Sequence, residues 1–414
     1  MKRRVVVTGL GAITPIGIGT KTFWDASLRG DCGTDVISLF DAGNYSIKIA
    51  AEVKGFDPSQ FMLPEIHRKA DRFAQMGLAA AKMAIEDAQL DSLINEGNNR
   101  IPVILGSGLG GSMFHEEQIF QLIENKEPRK VLSSSVPRIT PNAVSAWIAI
   151  QFKLRGSNMV ISTACSSAAN AIGLAAKFIR TGEANTVVTG GVECPISPFT
   201  FAAYQSMRVL STGKAGTKNV PRPFDKNRDG FVLGEGAGLL VLEDMEQAVQ
   251  RNAPIYAEIK GFSSNCGIYH MAAPDPSGED AAAVVSEALR DAQLQPSEVD
   301  YINAHGTATK ANDLCESKAI GLVFGPAEKG PYVSSTKSQI GHTIGAAGAI
   351  ELIITIQSIN KGIVTPTINL DEPDPELDLD YVANVARNHT INCALSNSFA
   401  FGGHNAVLVV KKYL

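Results

Sequence analysis

Short apolar runs rich in β-branched residues alternate along the chain with longer segments that have helical periodicity. The run from Arg4 to Thr8 predicts a buried strand that ends in a turn at Gly9 and Gly11. A helical pattern follows at residues 72–90, and residues 101–105 predict the next strand. Because strands and helices continue to alternate in this way, the sequence predicts an α/β class with largely parallel or mixed sheets covered by helices.

A tetrapeptide at the end of this first long helical segment occurs again in the second part of the chain. Asp87-Ala-Gln-Leu90 and Asp291-Ala-Gln-Leu294 are separated by 291 − 87 = 204 residues, close to half of the 414-residue chain. In both places a short strand follows and leads into glycine. We therefore predict two similar α/β halves, residues 1–251 and 252–414, which meet where a charged helical stretch gives way to a strand.

Charge and cysteine content limit the possible partners and the compartment. The 37 basic and 42 acidic residues give a net charge of −5, which provides no overall attraction for nucleic acid or for an anionic membrane. No apolar run reaches the ~18 residues of a membrane span, and the run after Met1 is too short for a signal peptide. The six cysteines show neither a C-x-x-C pair nor the spacing of a zinc site, so we expect a reduced, cytoplasmic protein without a metal.

A candidate nucleophile is Cys165, in the segment Ile161-Ser-Thr-Ala-Cys-Ser-Ser-Ala168. A strand-like pair at 159–160 precedes this segment, and a helix of small residues follows it to about residue 180. The cysteine is thus predicted at a strand-to-helix turn, where backbone N–H groups at the start of a helix favour the thiolate and lower the thiol pKa. A buried structural cysteine fits the same spacing.

Two further segments carry candidate catalytic side chains. His305 follows a predicted strand and precedes Gly306, which lets a substrate approach the backbone closely. Lys337 and His342 come just before the small residues 345–349, a pattern that predicts a tightly packed helix with Glu351 inside it as a buried acid. Taken singly, the histidines fit structural or turn positions equally well, and the lysine fits a solvated loop.

Glycine-rich segments raise the alternative of a nucleotide site. Gly106-x-Gly-x-x-Gly111 has the spacing of the dinucleotide fingerprint, but no acidic residue follows a new strand about 20 residues later. The segment at 234–238 lacks the Lys-Ser/Thr of a phosphate-binding loop. A nucleotide site is therefore disfavoured at residues 106–111, and tight packing is the better interpretation of residues 234–238.

These segments, together with residues 222–238 and 397–405, resemble the β-ketoacyl-acyl-carrier-protein synthase family of the thiolase superfamily. The resemblance runs along the whole chain and is strongest to the synthase II branch and the related ketosynthases of polyketide pathways. It implies a thiolase-like fold in which two duplicated α/β halves form five layers, αβαβα. It also implies a homodimer, or a heterodimer with a chain-length-factor homologue.

The resemblance implies a decarboxylative condensation in which Cys165 carries the acyl group. The two decarboxylating histidines fall on His305 and His342, the active-site lysine on Lys337 and a nearby glutamate on Glu351. An acyl-carrier protein delivers both substrates on phosphopantetheine, so the enzyme binds no cofactor of its own. Lys337 is expected to pair with Glu316 and to keep His305 unprotonated.

Further site residues are implied by the resemblance alone. Backbone N–H groups of Cys165 and Phe401 would form the oxyanion hole, and Thr307 and Thr309 would hold the pantetheine amides. The remaining residues are the gate and acyl-pocket residues Phe231, Phe399, Phe401, Leu109 and Tyr204, and the carrier-docking cations Arg68, Lys69, Arg72, Arg129, Lys130 and Arg208. For each of these cations a solvated surface position is an equally good interpretation.

Departures from the family pattern leave the pathway open. Ala400 stands where the synthase II gate loop usually has glycine, which predicts a more restricted gate. His404 and the segment 310–313 also differ from the usual pattern. Fatty-acid elongation, a type II polyketide or polyene ketosynthase, and a non-catalytic length-setting subunit are the alternatives; Cys165 counts against the last. A biosynthetic thiolase would need a second cysteine near the C-terminus, and the loop at 397–405 has none.

Overall fold

Ten strands account for most of the β-structure in this computed structural model, which describes residues 3–413 except 96, 98 and 215–218. Five belong to the first half: β1 Val5–Thr14, β2 Val103–Gly106, β3 Asn158–Ile161, β4 Thr186–Glu193 and β5 Gly236–Asp244. Five belong to the second half: β6 Ala257–Cys266, β7 Tyr301–Asn303, β8 Tyr332–Ser334, β9 Cys393–Phe399 and β10 His404–Lys411.

The strand order is the same in both halves. The first half is ordered β3-β2-β4-β5-β1 and the second β8-β7-β9-β10-β6, and β1 pairs with β6 where the halves meet. In each half the second strand in the chain is parallel to both of its neighbours, whereas the other pairings are antiparallel. This repeated mixed topology confirms the predicted duplication.

Six helices cover these sheets in layers: α1 Arg72–Asp87, α2 Ala143–Phe152, α3 Ser167–Thr181, α4 Glu279–Ala292, α5 Lys310–Phe324 and α6 Ala347–Lys361. The central layer is formed by α3 and α6, which contact each other and lie between the two sheets. The outer face of the first sheet is covered by α1 and α2, and that of the second by α4, with α5 packed beside α4 and sharing a core cluster with β7 and β8. The five-layer αβαβα prediction is therefore confirmed.

The repeated tetrapeptide has the same role in both halves. Asp87 accepts a hydrogen bond from the backbone N–H of Leu10 in β1, and Asp291 accepts one from Phe262 in β6. The glutamine two residues further on has a left-handed backbone in each copy, with φ 55° at Gln89 and 58° at Gln293. Each tetrapeptide thus ends a helix and fixes it to the first strand of its own half.

The prediction that the first strand ends at Gly9 is wrong, because β1 continues to Thr14. The two glycines have a packing role instead of a turn role. A Cβ atom at Gly9 would lie 2.1 Å from the carbonyl oxygen of Ala84, and one at Gly11 would lie 2.0 Å from that of Ala80. Glycine therefore allows α1 to lie directly on the strand without interrupting it.

Shorter elements connect the layers. The other α-helices are Thr20–Arg29, Pro64–His67, Asp91–Asn95, Ser112–Asn125, Ser135–Ile139, Pro198–Ser206, Met245–Gln250 and Lys337–Ile340. The 3-10 turns are Pro58–Gln60, Pro128–Lys130, Ala164–Ser166, Pro296–Glu298, Ala327–Lys329, Ile344–Ala346 and Phe401–Gly403, and the short strands are Gly17–Ile18, Thr34–Val36, Ile49–Ala51, Ile363–Val364 and Arg387–Asn388. Within the described ranges no helix has the length and apolar character to cross a bilayer. The boundary proposed after residue 251 falls between β5 and β6 and stays a prediction.

Candidate active site

Cys165 lies in the 3-10 turn Ala164–Ser166, between β3 and the start of α3. Ala164 has φ 49°, a left-handed conformation that costs a non-glycine residue free energy. The side chain of Ser167 holds the turn, because its Oγ accepts from the N–H of Thr163 at 2.9 Å and donates to the carbonyl of Ala164 at 2.6 Å. The predicted strand-to-helix position is therefore confirmed.

The second half has a matching turn at Ile344–Ala346, immediately before α6. Its first residue also has positive φ, 44° at Ile344. His342 comes just before this turn, and its Nε2 lies 3.1 Å from the sulfur of Cys165. The duplication thus brings two equivalent turns together in the central layer, one with the thiol and the other with an imidazole.

His305 completes this group from the end of β7. Its ring centroid lies 5.3 Å from that of His342, and one ring nitrogen of each histidine lies within 4.8 Å of the Cys165 sulfur. Its Nδ1 lies 3.2 Å from Nζ of Lys337, which in turn bonds Oε1 of Glu351 at 2.5 Å. All five side chains are buried.

The predicted pairing of Lys337 with Glu316 is wrong, since the carboxylate that Lys337 bonds is Glu351. Glu316 instead accepts the backbone N–H groups of His305 at 2.8 Å and Gly306 at 2.7 Å, and the amide of Asn397 at 3.1 Å. It therefore fixes the backbone on which the His305 ring stands.

Both histidines are uncharged, because burial and the nearby charge of Lys337 lower their pKa well below the usual value. The ammonium group of Lys337 can only donate, so Nδ1 of His305 accepts its hydrogen bond. Nδ1 of His342 likewise accepts the backbone N–H of Ile344 at 3.3 Å. The ring proton therefore sits on Nε2 in both histidines, and the pair presents N–H donors to the thiol. A metal would need free lone pairs there, so these residues do not fit a resident metal ion.

Burial raises the pKa of the Cys165 thiol to about 12, against the lowering effects of the Lys337 charge and a hydrogen bond from the Phe401 backbone N–H. The expectation of a lowered pKa is therefore wrong for this buried thiol. Desolvation exceeds the stabilisation from the helix start because only 6% of the residue is exposed. The resting group is a thiol.

A cavity leads from Cys165 to the surface and is lined by most of the predicted pocket residues, namely Thr307, Thr309, Phe231, Phe399, Phe401 and Tyr204. The ring of Phe231 packs edge-on against His342 with centroids 5.2 Å apart, and Tyr204 packs on Phe231 at 5.7 Å. Leu109 is not among the lining residues, and 38% of it is exposed. The cavity is thus mainly aromatic around the thiol.

The loop at residues 400–403, which lines this cavity, is hydrogen-bonded to a second loop at residues 267–271. Gly402 N–H donates to the Met271 carbonyl at 2.7 Å, and Gly267 N–H donates to the Gly403 carbonyl at 2.8 Å. Ala400 has φ −123°, an extended conformation open to any residue, so alanine causes no backbone strain here. A restriction of gate movement by this alanine stays a prediction.

Five of the six predicted docking cations are exposed: Arg68, Lys69, Arg129, Lys130 and Arg208. Arg129 and Lys130 both pair with Glu127. Arg72 differs, because its guanidinium bonds both carboxylate oxygens of the fully buried Glu235 at 2.6 and 2.8 Å. Assigning Arg72 to the docking cluster is therefore wrong, since this side chain points inward.

The sequence interpretation missed one acidic residue beside the nucleophile. Glu193 ends β4, is fully buried, and accepts hydrogen bonds from the two neighbouring loops at 107–109 and 345. The available signal was a single charge at the end of the otherwise uncharged run 186–193.

Profiles of known families divide the chain in the same way as its sheets do. The β-ketoacyl synthase N-terminal domain matches residues 2–248, and the C-terminal domain of the same family matches residues 256–371. The chain belongs to the β-ketoacyl synthase family. Within that family it is 45% identical to a 3-oxoacyl-[acyl-carrier-protein] synthase 2 of Staphylococcus aureus strain COL over 412 residues, 99% of each chain. A protein of the same name from Synechocystis sp. is 43% identical over 413 residues, 100% of this chain and 99% of that one.

Solved β-ketoacyl synthase structures have the same fold. The ishigamide ketosynthase/chain length factor superposes with a TM-score of 0.93 at 34% identity, covering 100% of both chains. A β-ketoacyl synthase from Burkholderia phymatum gives 0.93 at 32% identity, also over 100% of both. A type II polyketide ketosynthase in complex with its acyl-carrier protein, bound to the hexaketide, gives 0.90 at 32% identity and the same coverage.

Proposed function

We propose that the protein catalyses the decarboxylative condensation of an acyl group on Cys165 with malonyl-acyl-carrier protein, giving β-ketoacyl-acyl-carrier protein in fatty-acid elongation. One observation carries this proposal: the Cys165 thiol, at the inner end of a cavity, faces N–H donors of two uncharged imidazoles, one of them 3.1 Å away. The relatives named 3-oxoacyl-[acyl-carrier-protein] synthase 2 support the same reaction.

The first step is transfer of the acyl group to the enzyme. The Cys165 sulfur attacks the thioester carbonyl, the new S–C bond replaces the carrier S–C bond, and the thiol proton ends on the released carrier thiol. Backbone N–H groups of Cys165 and Phe401 stabilise the tetrahedral oxyanion. The bond from Phe401 N–H to the sulfur supports this role, because it places that donor beside the reacting atom.

The second step forms the carbon–carbon bond. Malonyl-carrier loses CO₂, and the electron pair of the broken C–C bond becomes an enolate whose oxygen accepts from Nε2–H of His305 and His342. The enolate carbon then attacks the acyl-Cys165 carbonyl, which releases the sulfur as a thiolate that takes up a proton. Neutral imidazoles suit this step because Nε2–H can donate to the enolate oxygen while burial and the charge of Lys337 disfavour the charged form of both rings.

The surrounding residues hold this arrangement. Lys337, compensated by Glu351, keeps the proton of His305 on Nε2, and Glu316 fixes the His305 backbone. Thr307 and Thr309 bind the amides of the phosphopantetheine arm in the cavity, while Phe231, Phe399 and Phe401 form its gate. Tyr204 lines the acyl pocket.

The partner is an acyl-carrier protein, and its phosphopantetheine is the only prosthetic group that the reaction uses. The relative solved with its acyl-carrier protein supports this assignment. The enzyme acts as a dimer, and relatives solved with chain length factors support a paired assembly. We also propose a reduced cytoplasmic setting, because the six cysteines show neither a C-x-x-C pair nor the spacing of a zinc site.

A second candidate is a ketosynthase of a type II polyketide or polyene pathway that works with a chain-length-factor homologue. The TM-score of 0.93 with the ishigamide ketosynthase/chain length factor favours it. Fatty-acid elongation is preferred because identity to the synthase 2 relatives is higher, 43–45% against 34%. A non-catalytic length-setting role would leave the thiol and both imidazoles without a purpose.

The test is incubation of the full-length protein with acyl-carriers of several chain lengths and malonyl-carrier, followed by mass spectrometry of the enzyme and the carriers. We expect acylated Cys165 and carriers extended by two carbons from saturated acyl substrates. Extension only in the presence of a chain-length-factor homologue, with repeated unreduced additions, would favour the polyketide candidate. Absence of extension under all conditions would reject condensation.

Carrier docking gives a prediction that separates the cationic residues. The double variant Arg68→Ala, Lys69→Ala should raise the KM for the carrier about three- to tenfold at low salt, and the effect should shrink at high salt. Arg72→Ala should instead lower the free energy of unfolding by about 3–5 kcal/mol, because it leaves Glu235 buried without its partner. Steady-state kinetics at two salt concentrations and denaturant unfolding measure these effects. A variant at Arg72 that unfolds like wild type but binds carrier weakly would contradict the assignment.

A further inference from the structure

Glu193 is a fully buried carboxylate whose hydrogen-bond partners are all uncharged donors. Oε1 accepts from Ser107 Oγ at 3.1 Å and from Leu109 N–H at 3.0 Å. Oε2 accepts from Gly108 N–H at 2.6 Å and from Gly345 N–H at 3.2 Å. A buried carboxylate is costly unless such bonds compensate it, so the four donors and Glu193 depend on one another.

The bond to Gly345 crosses between the two halves of the molecule. Two successive N–H groups of the turn after His342 are held by different acceptors: that of Ile344 by Nδ1 of His342 at 3.3 Å, and that of Gly345 by Glu193. A Cβ atom at Gly345 would lie 2.4 Å from Oε2, so the approach requires glycine. The direction of the Ile344 N–H, and with it the tautomer of His342, thus depends on how Glu193 holds the turn.

We propose that Glu193 is a positioning residue that holds the turn at 344–346, so that His342 keeps its proton on Nε2 and directs it at the reaction centre. This inference rests on the proposed function, because it concerns the step in which His342 donates to the enolate. Acyl transfer to Cys165 uses backbone donors instead, so it should depend less on Glu193. In this scheme Glu193 contacts neither the acyl group nor the enolate, and it acts only through His342.

Glu193→Gln tests this with almost no change in shape. A glutamine side chain offers one oxygen and one NH₂ group, so in either orientation two of the four donors face another donor. We expect malonyl decarboxylation to fall about ten- to hundredfold, the equivalent of one or two lost charge-assisted hydrogen bonds. Acylation of Cys165 should stay within about threefold of wild type. The decisive quantity is the ratio of the two rates, which partial unfolding would not change.

Glu52→Gln is the matched control, because Glu52 is 3% exposed and also accepts backbone N–H groups, those of Ser38 and Leu39. Its ratio of decarboxylation to acylation should equal that of wild type. Release of CO₂ from malonyl-carrier and intact-mass detection of the acyl-enzyme measure the two rates. Equal losses of both rates in Glu193→Gln, or no loss of either, would overturn the proposal.

A second measurement needs no variant, in case Glu193→Gln does not fold. Burial raises the pKa of Glu193 to about 6, so the carboxylate accepts its bonds above that pH and loses acceptor capacity as the pH falls through it. The ionisable groups that interact with it electrostatically are Cys165, Cys194 and Tyr204, and burial raises the pKa of each. His342, which precedes the turn that Glu193 holds, has a pKa well below the usual value. None of these titrates near pH 6.

The wild-type ratio of decarboxylation to acylation should therefore fall between pH 7 and 5. In Glu193→Gln the ratio should be low and should change less with pH, since only the raised pKa values of Glu316 and Glu351 can then contribute. A wild-type ratio that stays constant across this range would reject the inference. The outcome is separate from that of the proposed function: wild type that forms no β-ketoacyl product at pH 7 rejects the function, whereas normal condensation with an unchanged ratio rejects only the role of Glu193.

Discussion

Cys165→Ala should abolish acylation of the enzyme when the variant is incubated with acyl-carrier. The methyl group offers no electron pair to the thioester, so the acyl-enzyme cannot form and condensation stops with it. Intact-mass spectrometry should show the unmodified protein after times at which wild type is fully acylated. The fold should persist, because a small buried side chain is replaced by another of similar size.

Cys194→Ala is the control for this experiment. Cys194 is also buried, but its sulfur lies 3.4 Å from that of Met76, away from the cavity. This variant should be acylated at the wild-type rate. Acylation of Cys165→Ala at any side chain, with continued formation of β-ketoacyl product, would show that the nucleophile lies elsewhere.

His305→Ala should leave acylation of Cys165 largely intact and reduce condensation about 10²–10³-fold, the usual cost of removing one oxyanion donor. The reason is that the enolate oxygen loses one of its two N–H donors, whereas the acyl oxyanion keeps its backbone donors. Acyl-enzyme should accumulate on addition of acyl-carrier and persist after addition of malonyl-carrier. Mass spectrometry of the enzyme and CO₂ release measure the two steps separately.

His389→Ala provides the comparison, since this histidine packs on Tyr332 outside the cavity. It should condense like wild type. If His305→Ala lost acylation and condensation equally, His305 would act in the first step. The assignment of backbone donors to acyl transfer and of imidazole donors to the enolate would then be wrong.

The duplicated fold could be predicted from the sequence because both halves contain the same tetrapeptide at equivalent positions. Asp87 and Asp291 each end a helix and bond the first strand of their half, a role that requires the same short segment in both copies. The sequence predicts too short a first strand, because glycine occurs both in turns and where a helix packs closely on a strand. Only the position of α1 in the structure shows that Gly9 and Gly11 are of the second kind. Cys165, His305 and His342 could be predicted as site residues because they occur in distinctive segments, and the structure brings the three side chains together.

Contacts between distant segments could not be predicted in the same way. Glu316 and Glu351 both lie in helices, and the sequence does not determine which of them reaches Lys337. Arg72 belongs to a basic run in the sequence, yet a buried glutamate 163 residues away turns it inward. The thiol pKa depends on burial, which is a property of the assembled core and not of the helix start alone.

The two equivalent turns, at residues 164–166 and 344–346, differ in the side chain at their middle position. The position that holds Cys165 in one copy is Gly345 in the other, and there a side chain would collide with Glu193 at 2.4 Å. One turn thus carries the thiol, and the other contributes only backbone at the equivalent position. Steric exclusion therefore prevents a second thiol at the equivalent position, and a cysteine placed there would have to displace the Glu193 carboxylate.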